Sequence, residues 1–181
     1  MKGILFADYV RMVRSHKGVD WSGQLAPEDL PFLESKIDPA KWYPMASFER
    51  LGNAILKFVA NDDLRAVHMW GRFSADQLRA VHPMLVEAGN AVETLSRFRV
   101  MRATFFDFEA IEIPMLTDDE AHVTMGYHMG KVAEEAASLQ TLGFFERQLE
   151  LAGAKEVGSR WLLRAWAGDD ESLLQLNWTM R

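Results

Sequence analysis

TDDEAHVTMGYHMGKVAEEAASLQTLGFFERQLELAG, residues 117–153, is the stretch that decides the fold class. After a turn at Thr117-Asp118-Asp119, Val123, Met125, Tyr127 and Met129 alternate with His122, Thr124, Gly126 and His128. A period of two marks a strand with one buried face. From Lys131 the period lengthens, with Val132, Ala136, Leu139, Phe145 and Leu149 on the inward side of a long helix over about Lys131–Ala152 and Gly153 as its stop. Upstream, Ala103–Ile113 is rich in aromatic and β-branched residues and reads as the partner strand. Its alternation slips between Phe106/Phe108 and Ile111/Ile113, which predicts a bulge near Glu109–Ala110. Downstream, Ser159–Ala167 carries Trp161, Leu163 and Ala165 inward and turns at Gly168-Asp169-Asp170-Glu171. The last strand then presents Leu174, Leu176 and Trp178. Hairpins on either side of a long helix imply antiparallel pairing, so the class is α+β and not a doubly wound parallel sheet.

The first hundred residues read as helices. Phe6, Val10 and Val13 sit at helical spacing up to about Lys17, with Gly18 as a stop. Pro27, with Glu28 and Asp29 behind it, opens a short second helix. After a bend at Asp38–Pro44, Phe48, Leu51, Ile55, Phe58 and Val59 give a strongly amphipathic third. Asn61-Asp62-Asp63 caps a fourth through about Arg72, and a capping box at Ser74–Gln77 predicts a break near Gly71–Ser74 with a new helix beyond. Pro83 bends or ends that helix, and Leu85, Ala88, Val92 and Leu95 continue a helical stripe to Phe98. The organisation is one domain over 1–181: a mainly helical part to about 100, packed on a sheet built by the hairpin–helix–hairpin part.

Composition removes several function classes. Twenty Lys and Arg against 26 Asp and Glu give a charge of −6, which disfavours nucleic acid as a partner. The absence of cysteine excludes disulfides, thiolate metal sites and cysteine nucleophiles. Nothing resembles a signal peptide or an apolar run of membrane-spanning length, so no membrane insertion and a cytoplasmic location are expected.

No catalytic motif stands out: there is no GxSxG elbow, SxxK, HExxH or glycine-rich phosphate loop. The acidic runs Asp118-Asp119-Glu120 and Asp169-Asp170-Glu171 fall in turns and read as solvated faces. Leu64-Arg65-Ala66-Val67-His68 recurs as Leu78-Arg79-Ala80-Val81-His82. On one continuous helix His68 and His82 would stand about 21 Å apart, too far to share a metal. His122 and His128 on one strand are about 20 Å apart and read as surface residues. Met84, Met101, Met115, Met125 and Met129 either fill the core or soften a pocket for an apolar ligand. Trp21, Trp42 and Trp70, near helix ends and loops, are candidate anchors for a partner.

The Met1-Lys2-Gly3 opening, the helical first half and the hairpin–helix–hairpin second half together resemble the superfamily of haem–nitric oxide/oxygen binding (H-NOX) domains, 4-vinyl-reductase ligand domains and TRAPP vesicle-tethering subunits. A bacterial family of this size and layout, best known from myxobacteria, is also similar. The resemblance implies a small-ligand or interaction module without enzymatic activity. H-NOX domains ligate haem through a histidine on the helix before the first strand pair; the matching segment here, Leu85–Phe98, has none. Their Tyr-x-Ser-x-Arg propionate motif corresponds to Tyr127-His128-Met129-Gly130-Lys131, which retains Tyr127 and Lys131 as polar contacts but lacks the serine hydroxyl and the arginine fork. A haem-free relative is therefore expected, with no cofactor, whose partner is a small apolar ligand, another protein or a second copy of itself in a homodimer. Leu85, Ala88, Val92, Met125 and Tyr127 are the expected pocket lining. The alternatives are a haem gas sensor using His82 or His68, and an enzyme with no recognisable motif.

Overall fold

A computed structural model describes residues 1–180. Six α-helices are present: α1 (Gly3–Ser15), α2 (Leu30–Glu34), α3 (Met45–Phe58), α4 (Leu64–Val81), α5 (Ala91–Met101) and α6 (Lys131–Leu151). Four strands, β1 (Ile111–Leu116), β2 (Glu120–Met125), β3 (Lys155–Leu163) and β4 (Ser172–Thr179), form one antiparallel sheet in the order β1-β2-β4-β3. The two hairpins join through β2 and β4, where Val123 pairs with Leu174 and Ala121 with Leu176. Ala121, Val123, Met125, Leu174, Leu176 and Trp178 are buried on the inner face, as the alternation requires. The α+β class and the hairpin–helix–hairpin order are as expected.

The long helix α6 lies between this sheet and the N-terminal helices. Because it is covered on both sides, its buried positions run round much of its circumference and include Ala133, Ala137, Ser138, Leu142, Phe145 and Leu149. Val132, expected inward, is exposed. Gly153 ends the helix at φ +95°, a left-handed cap that glycine adopts without a Cβ penalty.

The closest helix pairing is α4 on α6, and two glycines make it possible. A Cβ on Gly71 would collide with the Gln140 carbonyl, and one on Gly143 would collide with the His68 carbonyl. Beside this contact run ion pairs: His68 Nε2 to Glu146 Oε2 at 2.7 Å, Arg72 to Glu150 at 2.5 Å and Arg147 to Asp76 at 3.0 Å. Burial works against the Glu150 carboxylate, but hydrogen bonds from Arg72 and Arg147 outweigh it and hold the group below its ordinary range.

Six sequence expectations are corrected. There is no break at Gly71–Ser74: α4 is continuous, and Ser74 Oγ donates to the Trp70 carbonyl instead of capping a new helix. The stripe from Leu85 to Phe98 is not one helix, because Pro83–Leu85 is a 3-10 turn and α5 starts only at Ala91, capped by the Asn90 side chain. The strand expected over Ala103–Ile113 begins at Ile111. Phe105 and Phe106 are both buried, which consecutive residues of a one-faced strand cannot be, and the sheet irregularity falls between Glu112 and Met115. β2 stops at Met125, since the Tyr127 and Met129 N–H groups donate to the Glu134 carboxylate in the first turn of α6. β3 runs Lys155–Leu163 as an edge strand, so Leu163 is exposed and Ala165 lies in a 3-10 turn. The short helix expected at Pro27 starts three residues later, at Leu30.

Among the described residues no helix is long and apolar enough to cross a membrane. Helix propensity alone favours alanine over glycine by about 1 kcal/mol. At Gly71 the backbone collision reverses that sign, and Gly71→Ala is expected to cost about 3 kcal/mol or more by urea unfolding, against about 0.5 kcal/mol or less for Gly18→Ala, which meets nothing. Equal midpoints for the two variants would remove the close crossing as a determinant of stability.

Candidate functional site

Where α1, α4 and α6 converge beneath the chain segment 101–111, the packing leaves a cavity of about 240 Å³. Its geometry follows from the α4–α6 contact, which brings Ser74 and Leu78 of α4 opposite Ala137, Gln140, Thr141 and Phe144 of α6. Ile4, Leu5 and Tyr9 of α1 supply a second wall. Phe105 and Phe106, with Phe98 of α5, close the third. The side chains of Arg11, Gln77 and Val81 are exposed and form the rim.

The wall is mostly aromatic and aliphatic; the pairs Tyr9–Gln140 and Tyr127–Thr141 form a polar patch, and Asp8, Arg11, Ser74 and Gln77 are further polar residues on the lining. Tyr9 Oη donates to Gln140 Oε1 at 2.5 Å, and its ring packs on Phe48 and Trp70 at centroid distances of 4.3 and 4.6 Å. Tyr127 Oη and Thr141 Oγ1 are 2.5 Å apart. Burial pushes both phenols above their ordinary range; for Tyr9 the nearby Tyr127 adds to the shift and the Gln140 hydrogen bond opposes it. Both rings are therefore neutral at physiological pH. A second void of about 20 Å³ shares Tyr9, Phe48, Ala137 and Gln140 and extends to Trp70 and Met129. That is room for one water by the usual threshold of roughly 10–15 Å³.

Of the residues singled out from sequence, Tyr127 lies on the cavity wall. Lys131 is exposed at the start of α6, outside the lining. Leu85 and Met125 are buried away from the cavity, Val92 is half-buried on α5, and Ala88 is exposed in the loop before it. His68 is engaged with Glu146 at the α4–α6 contact, and His82 is the C-cap of α4. Neither lines the cavity, and one uninterrupted helix separates them. His122 pairs with Glu120, and His128 is exposed with its ring 5.6 Å from that of Phe108. Of the five methionines, Met84 is exposed and none lines the larger cavity, which takes Met1 instead. Trp21 is buried with its indole N–H on the His16 carbonyl, Trp70 packs on Tyr9, and Trp42 is exposed with the Lys2 ammonium 4.2 Å above its ring. The acidic turns hold backbone: Asp169 accepts from the Arg164 N–H and the Asp119 carbonyl from the Trp178 N–H.

Sequence reasoning missed Tyr9, Gln140, Thr141, Phe105 and Phe106. The signal available was on α6, where Glu134, Ser138 and Thr141 repeat at i, i+4 and i+7 along a helix read as buried.

No protein-family model matches the chain, and no curated protein matches it. Solved structures do. An unliganded Fe(II) H-NOX variant from K. algicida superimposes with TM-score 0.67 at 16% identity, over 99% of this chain and 97% of that one. An S. oneidensis H-NOX protein in the Fe(II)NO ligation state gives 0.66 at 15%, over 99% of both chains. An H-NOX variant from T. Tengcongensis gives 0.65 at 11%, over 99% of this chain and 98% of that one. The chain has an H-NOX-like fold.

Asp8, beside the rim, pairs with Arg11 at 2.9 Å, yet its carboxyl is held above the ordinary range because desolvation outweighs the arginine. A raised carboxyl pKa in the folded state favours folding at low pH, and the benefit is lost as pH rises through that pKa. Asp8→Asn is therefore expected to be more stable than the wild type at pH 7, with the difference vanishing below about pH 3, where both states of Asp8 are protonated. A variant less stable at pH 7 in urea titrations would contradict this.

Proposed function

We propose that the protein is a haem-free sensory module that reversibly binds a small, mostly apolar molecule in the cavity between α1, α4 and α6. The observation that carries the reading is the cavity: about 240 Å³, walled mostly by aromatic and aliphatic side chains, with a few polar groups among them. Pockets built this way fix a ligand by apolar burial and orient it by a few polar contacts. An apolar void of about 150 Å³ already admits benzene, so there is space for a second ring.

The H-NOX-like fold brings haem as the alternative, and the residues present do not fit it. An axial ligand is required, commonly histidine or thiolate. The wall holds neither; its phenols are kept protonated by burial, and the Met1 thioether has no histidine opposite it. α5, the helix before the first strand pair, contains no histidine. Pockets for drug-sized ligands run to roughly 300–1,000 Å³, above the volume found here.

A non-enzymatic role is part of the proposal. Ser74 is the one aliphatic hydroxyl on the wall besides Thr141; it is back-bonded to Trp70, and no histidine lines the cavity to act as its base.

The test is spectroscopic and thermal. The purified protein is expected to show no Soret band and to take up no stoichiometric haemin. Indane is expected to raise the melting temperature of the wild type and not that of Leu78→Trp, whose indole fills the cavity. A Soret band, or equal stabilisation of both proteins by indane, would contradict the reading.

A further inference from the structure

The polar patch holds one amide whose donors are unspent. Tyr9 spends its one O–H on Gln140 Oε1. The Gln140 amide nitrogen then keeps both N–H groups without a partner among the described residues. It is also not sealed off, unlike the Gln148 amide nitrogen. Of Tyr127 and Thr141, one hydroxyl donates to the other and the second retains its proton. Ser74 has given its own to the Trp70 carbonyl. The strongest unspent hydrogen-bonding groups away from the rim are therefore the Gln140 N–H donors, beside aromatic and aliphatic side chains. Among the described lining residues the cations are Arg11, at the rim and already paired with Asp8, and the Met1 ammonium, which donates to the Tyr43 carbonyl.

We propose that the cavity selects a neutral molecule of one ring or two fused rings bearing a carbonyl-type acceptor, which the Gln140 amide binds. The proposal rests on the ligand-binding reading above and adds the chemical class. A hydrocarbon of the same shape leaves the Gln140 donors unsatisfied. A carboxylate gives up its hydration, and the two lining cations, Arg11 and the Met1 ammonium, already have partners. The same desolvation that keeps Tyr9 and Tyr127 neutral acts against any buried anion.

Three probes of one shape test this by calorimetric titration: indane, 1-indanone and indane-1-carboxylate. The wild type is expected to bind 1-indanone, and to bind the carboxylate at least about tenfold more weakly. Gln140→Leu is expected to lower the ratio of 1-indanone to indane affinity about tenfold, the cost of one carbonyl left unpaired. Because that variant strands the Tyr9 hydroxyl, Tyr9→Phe/Gln140→Leu, which removes both partners, is the companion and is expected to show the same fall. An unchanged ratio in both variants, with binding retained, overturns the role of Gln140 and leaves the cavity as a ligand site. Tightest binding by the carboxylate overturns the neutral class. If none of the three binds, this inference and the ligand-binding reading fall together.

Discussion

Two glycines, Gly71 on α4 and Gly143 on α6, set the distance on which the rest of the molecule depends. Each lies against a main-chain carbonyl of the other helix three residues before the other glycine, at Gln140 and His68. No side chain larger than hydrogen fits either position without moving backbone. The ion pairs of Arg72, Glu146, Glu150, Arg147 and Asp76 flank the crossing, but they are half-exposed and contribute modestly. Steric exclusion fixes the geometry, and the charges line its edge.

That crossing also explains why a cavity exists. With α4 and α6 in contact at the glycines, larger residues farther along α4 must face Phe144, Thr141 and Gln140 across a gap that α1 only partly fills. Tyr9 is the brace: its ring is held by Phe48 and Trp70 and its hydroxyl by Gln140, tying α1 to α3, α4 and α6 at one point. The buried hydrogen bond costs little because both partners are satisfied by each other. It leaves the Gln140 amide nitrogen without a partner among the described residues, so the interaction that supports the wall is also the one on which the proposed selectivity rests.

The sheet half of the fold was legible because its elements announce themselves locally. Val123 and Met125 against His122 and Thr124 give a period of two, Gly153 ends the long helix, and Leu174, Leu176 and Trp178 repeat the strand pattern. The helical half was less so. Gly71 looks like a stop and is a contact, a distinction visible only once Gln140 is beside it. Phe105 and Phe106 look like strand residues, but tertiary packing draws both inward. The candidate site was mostly invisible. Of its polar patch only Tyr127 could be named in advance, because Tyr9 on α1 and the neighbours Gln140 and Thr141 on α6 lie far apart in sequence and meet through helix packing.

The central claim is a preformed apolar cavity between α1, α4 and α6, and crystals pressurised with xenon test it most directly. Xenon binds empty apolar space by dispersion and asks for no hydrogen bonds. The account predicts xenon density enclosed by Leu78, Phe105 and Phe144 beside the Tyr9–Gln140 pair. Side chains or haem density filling that space, with xenon excluded from it, would contradict the account.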